Sequence, residues 1–122
     1  NWEVYPASMY HVLKKYGEYE SMPKIIVTEN GAAFEDKVHY GKIDDFKRRD
    51  FICKSLYQLL KAKNEGVNVE GYFVWTLLDN FEWAEGYKPT FGLVHVDFAS
   101  QKRIIKESGY WYSRLLKGEP VS

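Results

Sequence analysis

Pro-Lys-Ile-Ile-Val-Thr at residues 23–28 and Tyr-Phe-Val-Trp-Thr-Leu-Leu at residues 72–78 are the two stretches that decide the fold. Both runs are short, rich in β-branched or aromatic residues, and apolar without alternation. That pattern is typical of a parallel β-strand buried on both faces. The turn signal Asn30-Gly31 closely follows the first run. The sequence therefore predicts two buried parallel strands.

Helices are predicted before, between and after these strands. Apolar residues spaced from Tyr5 to Tyr16 predict a helix that ends near Gly17. Asp44 or Asp45 can cap a second helix. The predicted buried stripe of this second helix is Ile52, Leu56, Leu59 and Leu60, and a last helix carries Ile105, Trp111, Leu115 and Leu116. Strands that alternate with helices indicate right-handed βαβ crossovers.

Two parallel strands do not complete a sheet, because each would keep an open edge of unpaired backbone groups. A (β/α)₈ TIM barrel closes eight such strands on themselves and needs about 250 residues. The 122 residues here supply about two of the eight βα units. Either residues 1–122 are a single fragment of an α/β barrel or the strand count is wrong, and we favour the fragment.

Catalytic side chains of such barrels lie on the loops that follow the strands. Those loops are predicted at residues 29–42 and 79–101, the second with a short extended piece at residues 92–98. Glu29 comes directly after the first strand, where rigid backbone can hold a nucleophile within about 3–3.5 Å of a reacting carbon. Glu29 alone is equally compatible with the start of a simple turn.

The second loop alternates aromatic residues with carboxylates. Trp75 ends the second strand, and the loop contains Asp79-Asn80-Phe81-Glu82-Trp83-Ala84-Glu85 and later Phe91. The faces of sugar rings pack on indoles, and their hydroxyls donate to carboxylates. An aromatic core cluster is the alternative, although the carboxylates would be costly to bury there.

Together these motifs resemble the C-terminal region of family 1 glycoside hydrolases. The matching stretches lie at residues 2–6, 25–31, 71–83 and 91–97, in order and along the whole chain. The resemblance implies that residues 1–122 supply strands seven and eight of the barrel with their helices.

The resemblance also implies roles for individual residues. Glu29 matches the nucleophile, and Trp75 matches the platform under the non-reducing sugar. Glu82 and Trp83 match the pair that binds the hydroxyls of that sugar, and Phe91 matches an aromatic residue of the pocket. The implied activity is that of a retaining β-glycosidase, with β-glucosidase favoured and no cofactor. Members that act on 6-phosphorylated sugars have Ser, Lys and Tyr in this region, so the Glu82 carboxylate implies an unphosphorylated substrate.

Retaining hydrolysis needs a second carboxyl group about 5–5.5 Å from the nucleophile. In the family this acid/base is the Glu of an Asn-Glu-Pro motif on strand four. The motif is absent here, since Asn64-Glu65 is followed by Gly66. Glu82 and Glu85 are not expected to take over the acid/base role. The chain alone is therefore expected to be inactive without the N-terminal remainder of the barrel. A non-catalytic sugar-binding fragment and a split barrel remain the alternatives.

Composition excludes several classes of partner. The 17 basic and 17 acidic residues cancel, which leaves no electrostatic footprint for nucleic acid or an anionic membrane. No apolar run approaches the roughly 18 residues that span a bilayer. The single cysteine, Cys53, forms no internal disulfide and favours a reducing, cytoplasmic compartment.

The histidines, one short basic run and the cysteine are predicted to have no special role. Cys53 is expected to be a small buried hydrophobe. The basic run Lys47-Arg48-Arg49 is expected to lie on a solvated helix surface. The three histidines, at positions 11, 39 and 95, lack the spacing of metal ligands, so no metal site is predicted.

Overall fold

The computed structural model describes residues 2–121 of the chain. Its elements in chain order are α1 (Ser8–Gly17), β1 (Ile25–Asn30), α2 (Phe46–Asn64), β2 (Val69–Val74), a 3₁₀ turn (Trp83–Glu85), β3 (Val94–Val96), β4 (Arg103–Ile105) and α3 (Glu107–Leu116). Strands β1 and β2 are parallel and adjacent, with α2 as the crossover between them. The predicted βαβ unit is confirmed.

The bounds of the two strands differ from the prediction by a few residues. β1 continues to Asn30, so Glu29 is the penultimate residue of the strand and not the first residue after it. β2 ends at Val74, and Trp75 is the first residue beyond it. The pairing is irregular between Val27 and Asn30. Such irregularities turn side chains near the end of a strand away from regular alternation.

Two apolar clusters cover one face of this sheet. The first joins α1 and α2 to the strands and contains Met9, Leu13, Leu59, Ala62, Val67 and Val69. The second joins α2 to α3 and to both long loops, and it contains Ala32, Phe51, Ile52, Leu93 and Trp111. The helices and the loop bases therefore form a single layer on the same side of the strands.

The opposite face of the sheet is open. Ile26 of β1 and Phe73 of β2 are 53% and 60% exposed. Among residues 2–121, β1 and β2 pair only with each other, so each also has an unpaired outer edge. The predicted burial on both faces thus holds for one face of this chain. An apolar face and two free edges are what a piece cut from a larger sheet presents.

The chain also contains an antiparallel pair that the sequence analysis missed. The extended piece predicted at residues 92–98 contains β3, but β3 pairs with β4, which includes Ile105. The assignment of Ile105 to the last helix is therefore wrong. The Asp97 carboxylate stabilises the turn between the strands by accepting hydrogen bonds from the N–H groups of Ala99 and Ser100 at 3.0 and 3.1 Å. The same bonds hold the pKa of Asp97 below its usual range.

Some residues predicted to be buried are exposed in this chain. The buried side of α2 follows Arg48, Ile52, Ser55, Leu59 and Ala62, at spacings of four and three residues. Cys53 and Leu60 lie one position beyond that stripe and are exposed, which corrects both predictions. Leu116 of α3 is exposed as well, as are Tyr5, Val12 and Tyr16 on and before α1. Among residues 2–121 no helix combines the length and apolar character needed to cross a bilayer.

Candidate active site

A cleft of about 1070 Å³ lies at the carboxyl ends of β1 and β2. Four of the five predicted site residues line it, namely Glu29, Trp75, Glu82 and Phe91. The fifth, Trp83, is not among the lining residues and is 83% exposed. The fold thus brings the Glu29 carboxylate of β1 and the Trp75 indole, which follows β2, into one cavity. Trp83 lies at the surface of the loop after β2.

Hydrogen bonds fix the ends of the two strands to each other. The Tyr72 hydroxyl donates to Asn30 Oδ1 at 2.8 Å, and the backbone N–H of Trp75 donates to the Asn30 carbonyl at 2.9 Å. Burial raises the pKa of Tyr72, which keeps its hydroxyl protonated as a donor. Because Asn30 follows Glu29 directly, these bonds couple the position of the Glu29 backbone to that of Trp75.

Gly31 allows an unusually close approach at the same point. A Cβ added to Gly31 would lie 1.9 Å from the carbonyl oxygen of Trp75. Gly31 is not among the described glycines of positive φ, so space and not backbone conformation accounts for the residue here. The turn after Glu29 is thereby packed against the backbone of Trp75.

A short ladder anchors Phe91 beside the end of β2. Leu93 N–H donates to the Thr76 carbonyl at 2.9 Å, and Asp79 N–H donates to the Val94 carbonyl at 3.0 Å. The Phe91 ring also packs against Trp2, with the ring centroids 5.2 Å apart. Trp2 entered the sequence analysis only through the family resemblance, and the structure adds it to the wall of the cleft.

The loop between these anchors turns sharply around Trp83. Glu82 N–H donates to the Gly86 carbonyl at 2.7 Å, which closes the turn. Trp83 has a φ of +41°, a value uncommon for a residue with a side chain. Strained backbone of this kind is often found at functional loops.

The charges around the cleft are mostly negative. Five of its lining residues are glutamates and one is a lysine, and they are Glu3, Glu29, Glu35, Glu82, Glu85 and Lys88. A cavity lined by charges of one sign disfavours ligands of that sign. The part of the cleft that this chain supplies is therefore suited to a neutral or cationic ligand.

A network of buried charges lies beneath the cleft. Its members are Asp36, Asp45, Arg48, Asp79 and Lys106, and none of these side chains is more than 2% exposed. The network joins the first long loop, helix α2, the second long loop and the start of α3. Buried charges are stable only when they are paired and hydrogen-bonded.

Arg48 is the first hub of this network. Its guanidinium donates to both oxygens of Asp36, at 2.9 and 3.0 Å, and to the carbonyl of Thr90 at 2.7 Å. Arg48 also pairs with Asp45. The predicted solvated position of Arg48 is therefore wrong. The sequence did carry a signal, because Arg48 precedes Ile52 by four residues on the buried stripe of α2.

Asp45 occupies the N-cap position of α2 without capping that helix by its side chain. Its carboxylate instead accepts hydrogen bonds from the N–H and hydroxyl of Ser108, in the first turn of α3. An anion at a helix N-terminus is favourable there. Asp45 therefore does not cap α2 with its side chain as predicted, and that side chain instead joins α2 to α3.

Lys106 is the second hub. Its ammonium donates to Asp36 Oδ2 at 2.6 Å and to Asp79 Oδ1 at 2.9 Å. His95 lies beside Asp79, with its Nδ1 3.4 Å from Asp79 Oδ2. Within residues 2–121 no group of three His, Cys, Asp or Glu side chains is arranged to hold a metal ion. The histidine of this region is a neighbour of the charge network.

Known proteins are similar to this chain along nearly its whole length. The model of glycosyl hydrolase family 1 matches residues 1–120. β-Glucosidase A of Thermotoga maritima is 52% identical over 117 residues, which are 95% of this chain and 26% of that protein. A 6-phospho-β-galactosidase of Clostridium acetobutylicum is 47% identical, over 94% of this chain and 24% of that protein.

Solved structures give the same result. The family 1 β-glucosidase of Thermotoga maritima in complex with isofagomine lactam superimposes with a TM-score of 0.94 at 50% identity. The match covers 99% of this chain and 28% of that structure. The chain therefore spans about a quarter of the length of the relatives it matches, and its fold is that of a barrel fragment.

Substituting this chain for the matching segment of Thermotoga maritima β-glucosidase A gives a full-length polypeptide, called the completed barrel.

The buried network predicts a loss of stability in acid. Burial by itself would raise the pKa of Asp36, but the hydrogen bonds and charges of Arg48 and Lys106 outweigh it and hold the pKa below its usual value. Asp36 then binds a proton more readily in the unfolded chain than in the folded one. Its contribution to the free energy of unfolding is therefore complete above about pH 4 and is lost as the pH falls through the lowered pKa. We expect Asp36→Asn to destabilise the completed barrel at pH 7 and to lose that disadvantage progressively below about pH 4.

Urea midpoints measured between pH 7 and pH 3 would check this. Asp44→Asn is the matched control, because Asp44 is exposed and has no ion pair among the described residues. A constant difference between Asp36→Asn and the parent at every pH would contradict the assignment.

Proposed function

The chain belongs to glycosyl hydrolase family 1, and we propose that it supplies strands seven and eight of a barrel that hydrolyses β-glucosides with retention of configuration. The observation that carries this proposal is the cleft at the carboxyl ends of β1 and β2, which Glu29 and Trp75 both line. Active sites of βα barrels are built at that end of the strands.

In the proposed reaction Glu29 is the nucleophile. Its ionised carboxylate attacks the anomeric carbon and forms a covalent glycosyl-enzyme, while a second carboxyl group donates its proton to the departing glycosidic oxygen. That second group, now a carboxylate, removes a proton from water. The water oxygen attacks the anomeric carbon, and the bond to Glu29 breaks. The attachment of Asn30 to Tyr72 and Trp75 supports this role, because it holds the nucleophile on rigid backbone.

The remaining predicted residues are proposed to bind the sugar. Trp75 provides a flat apolar surface, Glu82 accepts hydrogen bonds from hydroxyl groups, and Phe91 closes the wall beside Trp75. Trp83 is adjacent to Glu82 and 83% exposed. We propose that the Trp83 indole N–H donates to a sugar hydroxyl beside Glu82. This contact would form once the rest of the barrel completes the cleft.

We propose an unphosphorylated sugar as the substrate. The names of the relatives leave the choice open, since a β-glucosidase and a 6-phospho-β-galactosidase have similar identities of 52% and 47%. Five glutamates against one lysine around the cleft support a neutral sugar, because a phosphate would be repelled. In the completed barrel we expect hydrolysis of a β-glucoside to exceed that of its 6-phosphate, and the opposite preference would reject this proposal.

The acid/base residue is proposed to lie on the N-terminal remainder of the barrel, which is then an obligatory partner of this chain. The open sheet face at Ile26 and Phe73 supports such a partner. Without the second carboxyl group the leaving oxygen receives no positioned proton, and help of that kind contributes about 10²–10⁴-fold to the rate. We therefore expect no measurable hydrolysis by residues 1–122 alone.

A 2-deoxy-2-fluoro β-glucoside with a dinitrophenyl leaving group tests the whole proposal. Fluorine slows both steps by destabilising the cationic transition state, while the leaving group restores the first step, so the covalent intermediate accumulates. We expect one added sugar mass on the peptide that contains Glu29 in the completed barrel, and none in its Glu29→Gln variant. A folded completed barrel that binds the sugar but takes no label would favour the alternative, a non-catalytic sugar-binding fragment.

A further inference from the structure

Lys106 is a fully buried cation that does not line the cleft. Its side chain has 0% exposure and lies at the N-cap position of α3. The ammonium contacts one carboxylate from each long loop, Asp36 from the first and Asp79 from the second. Lys106 therefore forms a link between the two loops that carry the walls of the cleft.

The link reaches residues of the cleft through short covalent and hydrogen-bonded paths. Asp36 follows Phe34 and Glu35, both of which line the cleft. Asp79 Oδ1, the atom that accepts from Lys106, also accepts from the backbone N–H of Gly92 at 2.8 Å, and Gly92 follows Phe91. A shift of either carboxylate would move a wall of the cleft.

The charge balance of the network makes Asp79 dependent on Lys106 for an oppositely charged partner. Arg48 and Lys106 supply two positive charges against the three negative charges of Asp36, Asp45 and Asp79. Arg48 contacts Asp36 and Asp45 but not Asp79. The other oxygen of Asp79 faces His95 Nδ1 at 3.4 Å, which is long for a hydrogen bond. Lys106 is consequently the principal charged partner of Asp79.

We propose that Lys106 is a positioning residue of the active site, which sets the separation of the two cleft loops by binding Asp36 and Asp79 together. This inference rests on the proposed function. Lys106 does not line the cleft, and its described side-chain partners are Asp36 and Asp79, so it acts on the reaction through the loops that it joins. A displacement of about 1 Å in such a site is enough to cost about 10²-fold in rate.

Lys106→Met in the completed barrel tests this role. The amplitude of labelling by the fluoroglucoside reports the fraction of molecules with an intact Glu29 site, whereas the rate constant reports the geometry of that site. We expect a stoichiometric amplitude with a second-order rate constant lowered about 10- to 100-fold. Leu13→Ala, in the helix core, is the matched control, because it reduces stability without touching either loop, and its rate constant should equal that of the parent.

A double variant separates positioning from stability. Asp79→Asn keeps an oxygen for the Gly92 N–H but removes the carboxylate that Lys106→Met leaves unpaired. In Lys106→Met/Asp79→Asn we expect the urea midpoint to recover towards that of the parent while the rate constant stays low. A parental rate constant in Lys106→Met, with only the urea midpoint reduced, would overturn the inference and leave Lys106 a purely structural residue.

Hydrogen exchange supplies a measurement that needs no activity. We expect the Gly92 amide to exchange faster in Lys106→Met than in both the parent and Leu13→Ala, and unchanged exchange would overturn the inference.

Absence of label in the unsubstituted completed barrel would instead contradict the proposed function. The two failures are therefore distinguishable.

Discussion

Glu29→Gln is expected to lower kcat of the completed barrel for β-glucosides by at least about 10⁴-fold, since removing the nucleophile of a hydrolase can cost about 10⁶-fold. That factor of 10⁴ corresponds to a rise of about 5 kcal/mol in the activation barrier. The amide of Gln matches the carboxylate in size but carries no negative charge, so it cannot form the covalent intermediate. Initial rates with a nitrophenyl β-glucoside measure the loss.

The stability of the Glu29→Gln variant should equal that of the parent within about 0.5 kcal/mol. Within residues 2–121 Glu29 takes part in no ion pair, and the exchange for Gln keeps the size of the side chain, so it removes no ion pair that this chain supplies. Glu70→Gln is a control for the exchange itself on the neighbouring strand, at the end remote from the cleft, where the 3.8 Å pair with Lys24 that it removes is solvent-exposed. A Glu29→Gln variant that keeps the rate of Glu70→Gln would show that another group is the nucleophile.

A smaller side chain at position 29 gives a second check on the same step. Glu29→Ala removes the carboxylate and leaves space in which a small anion such as azide can approach the anomeric carbon. We expect azide to restore turnover of a glucoside with a good leaving group, and the glycosyl azide formed by this single displacement should have inverted configuration. A product of retained configuration would contradict direct attack from the position of Glu29.

Local sequence patterns were sufficient for the strands and for most of the cleft. The apolar runs at residues 23–28 and 72–78 depend on side chains that are neighbours in sequence, and the carboxyl ends of adjacent parallel strands must meet. The meeting of Glu29 and Trp75 in one cleft follows from these two facts. The bounds shifted by a few residues, which moved Glu29 into β1 without changing the cavity that it lines.

The charge network was beyond local reasoning, because its contacts join distant parts of the chain. Asp36 and Lys106 are 70 residues apart, and no spacing rule links them. Arg48 is different, since the stripe of α2 placed it on the buried side and only its charge suggested the surface. A cation on an apolar stripe is therefore better interpreted as a buried ion pair than as a break in the stripe.

The hairpin of β3 and β4 was missed for a related reason. Strands of three residues contain too little alternation to be distinguished from the start of a helix. The Asp97 side chain, which accepts two backbone hydrogen bonds in the turn, was the available signal. The exposed position of Trp83 was equally unpredictable, because it depends on a turn with a positive φ at a tryptophan.

Gly31→Ala is expected to have the largest combined effect on structure and activity among the changes that leave every charge in place. The new methyl group would lie 1.9 Å from the carbonyl oxygen and 3.0 Å from the carbonyl carbon of Trp75. No side-chain rotation relieves a contact with backbone, so the end of β1 must move away from Trp75 and weaken the 2.9 Å bond between Trp75 N–H and the Asn30 carbonyl. We expect the free energy of unfolding of the completed barrel to fall by about 1–3 kcal/mol and the labelling rate constant to fall by about 10²-fold.

Gly71→Ala is the control for Gly31→Ala, because it adds the same methyl group on the neighbouring strand. There the nearest atom is Ile26 Cγ2 at 3.2 Å, a side-chain contact that a shift of a few tenths of an ångström relieves, whereas the contact at Gly31 is with backbone at 1.9 Å. The completed barrel with Gly71→Ala should therefore keep most of its labelling rate. If both variants label at the parental rate, the close approach of Gly31 to Trp75 is not what holds Glu29 in place. If both lose the same factor, strand packing in general, and not the contact at residue 31, controls the position of Glu29.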